Sequence, residues 1–537
     1  MKKLVLILGL VMIFVSGVLG VECNADLTQG GNSCTVSASL TLNGSYVVSG
    51  NNSNYGYIII NAHSVFLDLN NTELYGNSTT NSKSWGIKID GKYNVTIKNG
   101  VIRDYTKSIV AQKASNVTLK NITFYNYSTA IHIFNNNSLI TECNFYQNES
   151  GSEYAIDLER SHNHNISFNI FNYTQGIDGD SAYNVTIESN NFSTGVQTNA
   201  IYFYRMGMNY SIINNYFHDG KNQVDFLTVG NINTSNNKFY NLTNFFAYRF
   251  KHSAGITVDN DKFDYMGKAI HLHNASNVYL KNFNASRLIT GKDGWDVGIV
   301  IMNESRNVFL RNFRIEDSDR GGVCVMQNHY PVSIKDGYIN IRSNADKVAD
   351  GDTELHYRVP AALKLGQEWN YWHPTLYGWE NDTANNLTNT GVSNIKIENI
   401  TFGDNVQVLL KLQNYSNVTW DNSISNYWFR KFQTPTYLWQ PEEYYIKNTA
   451  TNVSSVYNLA YLDLFGIAYM NIQKTRFKLF SDYLYFQNVM DIQNQTIVYN
   501  LTSSNSVYNC TLSSGSILVN TQANLTLQPN KYCYIGY

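Results

Sequence analysis

Ionisable side chains recur at matching places of a repeated five-residue element, small–apolar–x–apolar–x. Examples are AIHIF from Ala130, AIDLE from Ala155, AIHLH from Ala269 and GIVIM from Gly298. The apolar/polar alternation is that of a strand, so residues three and five face away from the apolar side. Residue three reads Lys88, Val110, His132, Asp157, Asp178, Tyr202, Asp225, Arg249, His271, Val300 and Cys324 in successive copies. Residue five reads Asp90, Gln112, Phe134, Glu159, Asp180, Tyr204, Leu227, Lys251, His273, Met302 and Met326. Stacked copies place equivalent residues about 4.8 Å apart. The expectation is an outward stripe that is ionisable and aromatic from His132 to His273 and apolar beyond.

Such a stripe carries the groups that acid–base and charge-neutralising chemistry needs, and two reactions can be held against it. A lyase needs cations to neutralise a uronate, a base for the C5 proton and an acid for the leaving group. Arg249 and Lys251 could bind or deprotonate, and His271 or Tyr204 could be the acid. A glycoside hydrolase needs two carboxylates about 5–10 Å apart. Asp157 with Asp178, or Asp178 with Asp225, could supply them. The expected catalytic set is Asp157, Asp178, Asp180, Asp225, Arg249, Lys251 and His271. The expected binding set is His132, Glu159, Tyr202, Tyr204, His273, Trp369 and Trp372. Asp157, Glu159, Asp178 and Asp180 are hard oxygen ligands suited to Ca²⁺, the one cofactor expected. His271 and His273 share a strand face, but Arg249 and Lys251 beside them would repel a transition-metal ion.

These residues ride on a second repeat. It reads NVTIKNGVI from Asn94, NVTLKNITF from Asn116, NVTIESNNF from Asn184, NVFLRNFRI from Asn307 and NIKIENITF from Asn394, mostly 21–26 residues apart. No apolar 3.6-residue spacing persists, so helices are excluded as the main element. Neither strand can bury its apolar side alone, and stacking the copies gives a continuous core. The sixth motif position holds Asn99, Asn121, Asn214, Asn236, Asn260, Asn282, Asn312, Asn399 and Asn422, with Asp336 as a near-substitute. Asn tolerates left-handed backbone. These residues are expected to stack as a structural ladder at a corner.

The repeats resemble the right-handed parallel β-helix proteins of the pectate-lyase-like superfamily, in its carbohydrate-binding and sugar-hydrolase branch. The segment HSVFLDLNNTELYG from His63 is similar to that branch's opening rung. The resemblance implies an all-β fold, a right-handed parallel β-helix solenoid over about residues 61–425. From about residue 426 the repeat stops, and the rest, rich in Tyr, Phe, Val and Thr with alternating runs, reads as a small C-terminal all-β domain over 426–537. The resemblance leaves activity open, because the superfamily holds lyases, hydrolases and non-catalytic surface proteins. GIDGDSAYNVTI from Gly176 is similar to the first acidic segment of polygalacturonases. The paired aspartates, Gly-His-Gly and Arg-x-Lys that should follow are missing, so ordinary polygalacturonase chemistry is rejected.

Lys2, Lys3 and the apolar run Leu4 to Leu19 read as a signal peptide over 1–20, with 21–60 as cap and entry strands. No other stretch is long enough to span a bilayer. The six cysteines fit an oxidising compartment, where Cys23 could pair with Cys34 and Cys510 with Cys533. Many Asn-x-Ser/Thr triplets are glycosylation candidates, several of them belonging to the repeat itself. A net charge of −2 gives no case for a nucleic-acid partner. Residues 343–392 interrupt the spacing. Their aromatic segment, with Trp369 and Trp372, could stack on sugars or cover the apolar end of the stripe. Two functions fit: an extracellular polysaccharide-binding and -cleaving protein, or a non-catalytic, glycosylated surface or adhesive protein. The partner in either case is a polysaccharide or cell-surface glycan.

Overall fold

The computed structural model describes residues 21–23, 33–43, 47–49, 57–76, 84–147, 154–193, 199–220, 223–288, 297–302, 304–318, 321–341, 361–365, 392–403, 408–413, 415–421 and 424–427, together with the short strands 459–465, 470–473, 476–479, 483–487, 506–508 and 533–536. Every regular element among them is a β-strand. None is a helix long and apolar enough to cross a membrane. The expected signal peptide, the Cys510 pairing, Trp369 and Trp372 lie outside the described residues.

The chain divides into two compact units, residues 1–185 and 186–537. Each is a parallel β-solenoid in which a strand pairs with its equivalent one turn later. In the first unit Trp85–Asp90 pairs with the strand Lys107–Tyr125, which pairs with Thr129–Thr141, then Tyr154–Glu159, then Gln175–Asp180. In the second, Asn199–Tyr204 pairs with Gln223–Leu227, and the series continues through Lys238–Lys251, Lys262–His273, Val297–Met302, Gly321–Met326 and Ala361–Leu365. Parallel pairing continues past residue 425 to Leu459–Phe465 and Tyr483–Gln487, and Cys533–Gly536 adds on antiparallel.

The core is built by identical alternation in each turn. Ile131, Ile133, Ile156, Leu158 and Ile177 lie inside the first unit, and Phe203, Phe226, Phe250, Leu272 and Ile301 inside the second. Aromatic rings in register stack from turn to turn, Phe124–Phe145–Phe171 at 5.0 and 4.8 Å and Phe217–Phe239–Phe263 at 4.5 and 5.3 Å. Offset stacking of this kind adds to the area term.

The corner ladder forms as expected. The described sixth-position residues all have φ between 50° and 58°. Asn121 donates through Nδ2 to Asn99 at 2.9 Å, Asn260 to Asn236 at 2.7 Å and Asn312 to Asn282 at 2.7 Å. Asn422 lies outside the described residues. The first motif position forms a second outer ladder: Asn116 donates to Asn94 at 2.6 Å, Asn184 to Asn163 and Asn163 to Asn137, both at 2.9 Å. A third ladder is buried. In the second unit Asn190, Asn215 and Asn237 each direct a backbone N–H at the side-chain oxygen one turn on, ending at Asp261. Cys23 and Cys34 form a disulfide near the start of the first unit, and Cys143 is a buried thiol.

Candidate functional site

The outward positions align as their spacing dictates. In the first unit Lys88, Val110, His132, Asp157 and Asp178 occupy one row of register partners, and Glu159 faces Asp180 in the next row. His132 is buried, and its Nδ1 lies 2.7 Å from Asp157 Oδ2. Its Nε2 is 3.9 Å from Glu159 Oε2, too long for a hydrogen bond. Asp180 accepts a bond from Ser181 Oγ at 2.9 Å, and Asp178 is buried. The row therefore pairs a histidine with a carboxylate and sets a second carboxylate one strand further on. Among the described residues no three His, Cys, Asp or Glu side chains are grouped as they would be around a metal ion. Asp157 points instead at His132, and Asp180 at its own turn.

In the second unit Tyr202, Asp225, Arg249, His271, Val300 and Cys324 form one row, and Tyr204, Leu227, Lys251, His273, Met302 and Met326 the other. Tyr202 and Tyr204 stack at 4.9 Å. Asp225 is 1% exposed, although alternation points it outward. The cause is its neighbour: Arg249 donates Nε to Oδ1 at 3.0 Å and Nη2 to Oδ2. Burial raises the Asp225 pKa, while Arg249 and Lys251 pull it back down. The Arg249 side chain is 40% exposed, so this bidentate pair anchors a cation at the surface. Asp225 was expected in the catalytic set, and in this structure it faces Arg249. Its oxygens are spent on Arg249 and it is closed to solvent.

His271 and His273 are buried as well. The His271 ring stacks on Phe246 at 4.2 Å, and the Lys268 ammonium lies over the other partner of that stack, 4.7 Å from the Phe246 centroid. Burial, with His273, Arg249, Lys268 and Lys251 around it, drives the His271 pKa well below the usual imidazole value. The ring is neutral at neutral pH, and the same burial and surrounding cations make it a weak base unless an anion bound beside it offsets their field. His273 meets His252 edge-on at 5.4 Å. Beyond the histidines Val300, Cys324 and Met326 are buried. Residues 343–392, expected to cover that end, lie outside the described residues except 361–365 and 392.

Phe246 and Lys268 were not legible as site residues. Each precedes the five-residue element from which outward positions are counted. The only signal is their shared register, one turn apart.

Residues 33–192 match the family described as right-handed β-helix region. No curated protein matches the sequence. Among solved structures the chain is similar to PfbA, a surface adhesin of Streptococcus pneumoniae, at 15% identity and TM-score 0.38, covering 56% of this chain and 82% of that one. It is similar to the A-module of mannuronan C-5 epimerase AlgE6 of Azotobacter vinelandii at 11% identity and TM-score 0.36, covering 72% and 91%. It is also similar to the catalytic unit of an α-1,3-glucanase of Streptomyces thermodiastaticus at 11% identity and TM-score 0.37, covering 68% and 58%. The parallel register, the stacked interior and the family match over residues 33–192 agree: the described residues form an all-β, right-handed parallel β-solenoid.

Proposed function

We propose that the chain works outside the cell, binding an acidic polysaccharide on the outward face of the second unit and cleaving it by β-elimination. The observation that carries this reading is the surface cation Arg249, anchored by buried Asp225 in the same row as a neutral His271. Arg249 and Lys251 neutralise a uronate carboxylate, which acidifies the C5 proton. The bound carboxylate offsets the cationic field that otherwise keeps His271 a weak base. His271 then takes that proton, the C4–O bond breaks as the C4–C5 double bond forms, and the leaving oxygen is protonated from Tyr204. The stacked Tyr202 and Tyr204 offer ring faces to a neighbouring sugar.

The test is a polyuronate panel, with and without Ca²⁺, read by absorbance of the unsaturated product. Arg249→Ala strands a buried carboxylate and can damage folding. The double variant Asp225→Asn with Arg249→Gln removes the cation without that cost. Turnover lost in this variant and in His271→Gln, with thermal unfolding unchanged, supports the reading. Turnover retained in both sinks it. Binding without any product points to the adhesive alternative.

The His132–Asp157 contact favours a second reading. Asp157 and Asp178 are one strand apart, the scale of the carboxylate spacing of retaining glycosidases. New reducing ends without unsaturation, lost in Asp157→Asn and Asp178→Asn, would establish hydrolysis in place of elimination.

A further inference from the structure

A different outward face of the second unit carries a patch that the proposed site does not use. It lies on Tyr216–Gly220 and on the first residues of Lys238–Lys251, Lys262–His273 and Asn284–Leu288. Register places Tyr216, Lys238, Lys262 and Asn284 in one row, and His218, Tyr240, Asp264 and Ser286 in the next. Tyr216, Tyr240 and Tyr265 are 39%, 41% and 36% exposed. Exposed aromatic rings clustered on one face are an unpaid solvation cost unless something covers them.

The rings are held in place. Tyr216 stacks on His218 at 4.6 Å, and His218 is itself fixed between Asp219 at 2.8 Å and Asn191 at 2.7 Å. The Arg287 guanidinium lies 5.7 Å from the Tyr265 ring and 6.0 Å from that of Tyr240. Asp264 clamps it through both carboxylate oxygens, one at 2.7 Å from Nε. Asp264 also accepts from Ser286 Oγ at 3.0 Å.

Charge decides the occupant. Asp264 is committed to Arg287 and Ser286, and Asp219 to His218 and Asn241. Lys238 and Lys262 are exposed, stand directly opposite one another in register, and have no acidic partner among the described residues. Like charges placed this way repel. An anion bridging them relieves the repulsion, and the flanking tyrosines present faces to sugar rings. The row from Tyr216 to Asn284 is about 14 Å long at one strand spacing per turn, room for a short run of sugars.

We infer that this face is a second glycan-binding strip, for a uronic-acid polymer, with Lys238 and Lys262 meeting successive carboxylates and Tyr216 and Tyr240 stacking on the rings. It goes beyond the Arg249 site and holds the polymer whether or not that site cleaves it.

Calorimetric binding of polygalacturonate, dextran and dextran sulfate to the full chain tests the strip. The comparison uses the wild type, Lys238→Glu with Lys262→Glu, Tyr240→Ala, and the Asp225→Asn, Arg249→Gln double variant. The expected result is polygalacturonate binding that weakens at least about tenfold in the lysine double variant, with a smaller salt dependence. Tyr240→Ala weakens it too, and the Arg249 double variant retains the strip's binding. All the strip substitutions are at exposed positions, so unfolding curves should not move. No polygalacturonate binding, equal binding by the lysine double variant, or binding of dextran sulfate alone overturns the inference. Loss of turnover at Arg249 with strip binding intact separates the two proposals.

Discussion

The buried ladder of the second unit ends on a carboxylic acid, and this sets a measurable pH dependence. Asp261 accepts from the Asn237 N–H at 2.7 Å, from Thr234 Oγ1 at 2.8 Å and from the Tyr248 hydroxyl at 2.8 Å. Burial nevertheless dominates and pushes its pKa up to about 7. The unfolded chain ionises Asp261 near pH 4, so the folded state holds an extra proton between about pH 4 and 7. Stability from this group is full below about pH 4 and lost as pH rises through about 7. Three units correspond to about 4 kcal/mol, an order-of-magnitude figure for a fully buried group. Asp261→Asn removes the ionisation and puts in the residue type found at Asn215 and Asn237. Its new amide has a target, because Asn237 Nδ2 donates to the Ile212 carbonyl at 2.8 Å and Thr234 is the register partner of Ile212 one turn later. Urea unfolding followed across this pH range is the assay. The variant should lose the slope and exceed the wild type by up to about 4 kcal/mol near pH 8. Parallel pH profiles, or a less stable variant at about pH 8, would refute the reasoning.

Two further outcomes are expected. His164 in the first unit is buried, its Nδ1 accepting from the Ser138 N–H at 3.3 Å. Burial, with His162 nearby, pushes its pKa down to about 3. Its contribution is full above about pH 6.5 and lost as pH falls toward 3, worth on the order of 5 kcal/mol. His164→Gln should flatten the acid limb of the unfolding profile, and an unchanged limb would reject the assignment. Cys34→Ser opens the loop closed between Cys23 and Cys34, a separation of 11 residues. It should cost about 2–3 kcal/mol and remove that much of the destabilisation that reductant causes in the wild type. A reductant effect as large in the variant as in the wild type would refute this.

How far the site was legible depends on which physical constraint fixed each residue. Pairing of Asp225 with Arg249, and of Arg249 with His271, follows from aligning copies of a five-residue element, because alternation fixes the face and the repeat fixes the row. The outer Asn ladder follows from a residue type that accepts positive φ. The buried ladder left a fainter trace, in doublets such as Asn214–Asn215, Asn236–Asn237 and Asn260–Asp261. The first member turns the chain and the second points in, a division of labour that reading the corner position alone conceals.

The sequence by itself determined the solenoid, its inside and outside, and the order of side chains along each row. These depend on local periodicity and on repeat length. Only the tertiary structure decided which outward residues stay in reach of a ligand. Asp225 faces out by alternation yet is sealed by the guanidinium of the next turn, and His271 is held neutral by Phe246, burial and four cationic or imidazole neighbours. Those outcomes arise from contacts between turns more than twenty residues apart. Periodicity fixes where a side chain starts, whereas its burial, partner and charge are set by what other turns lay against it.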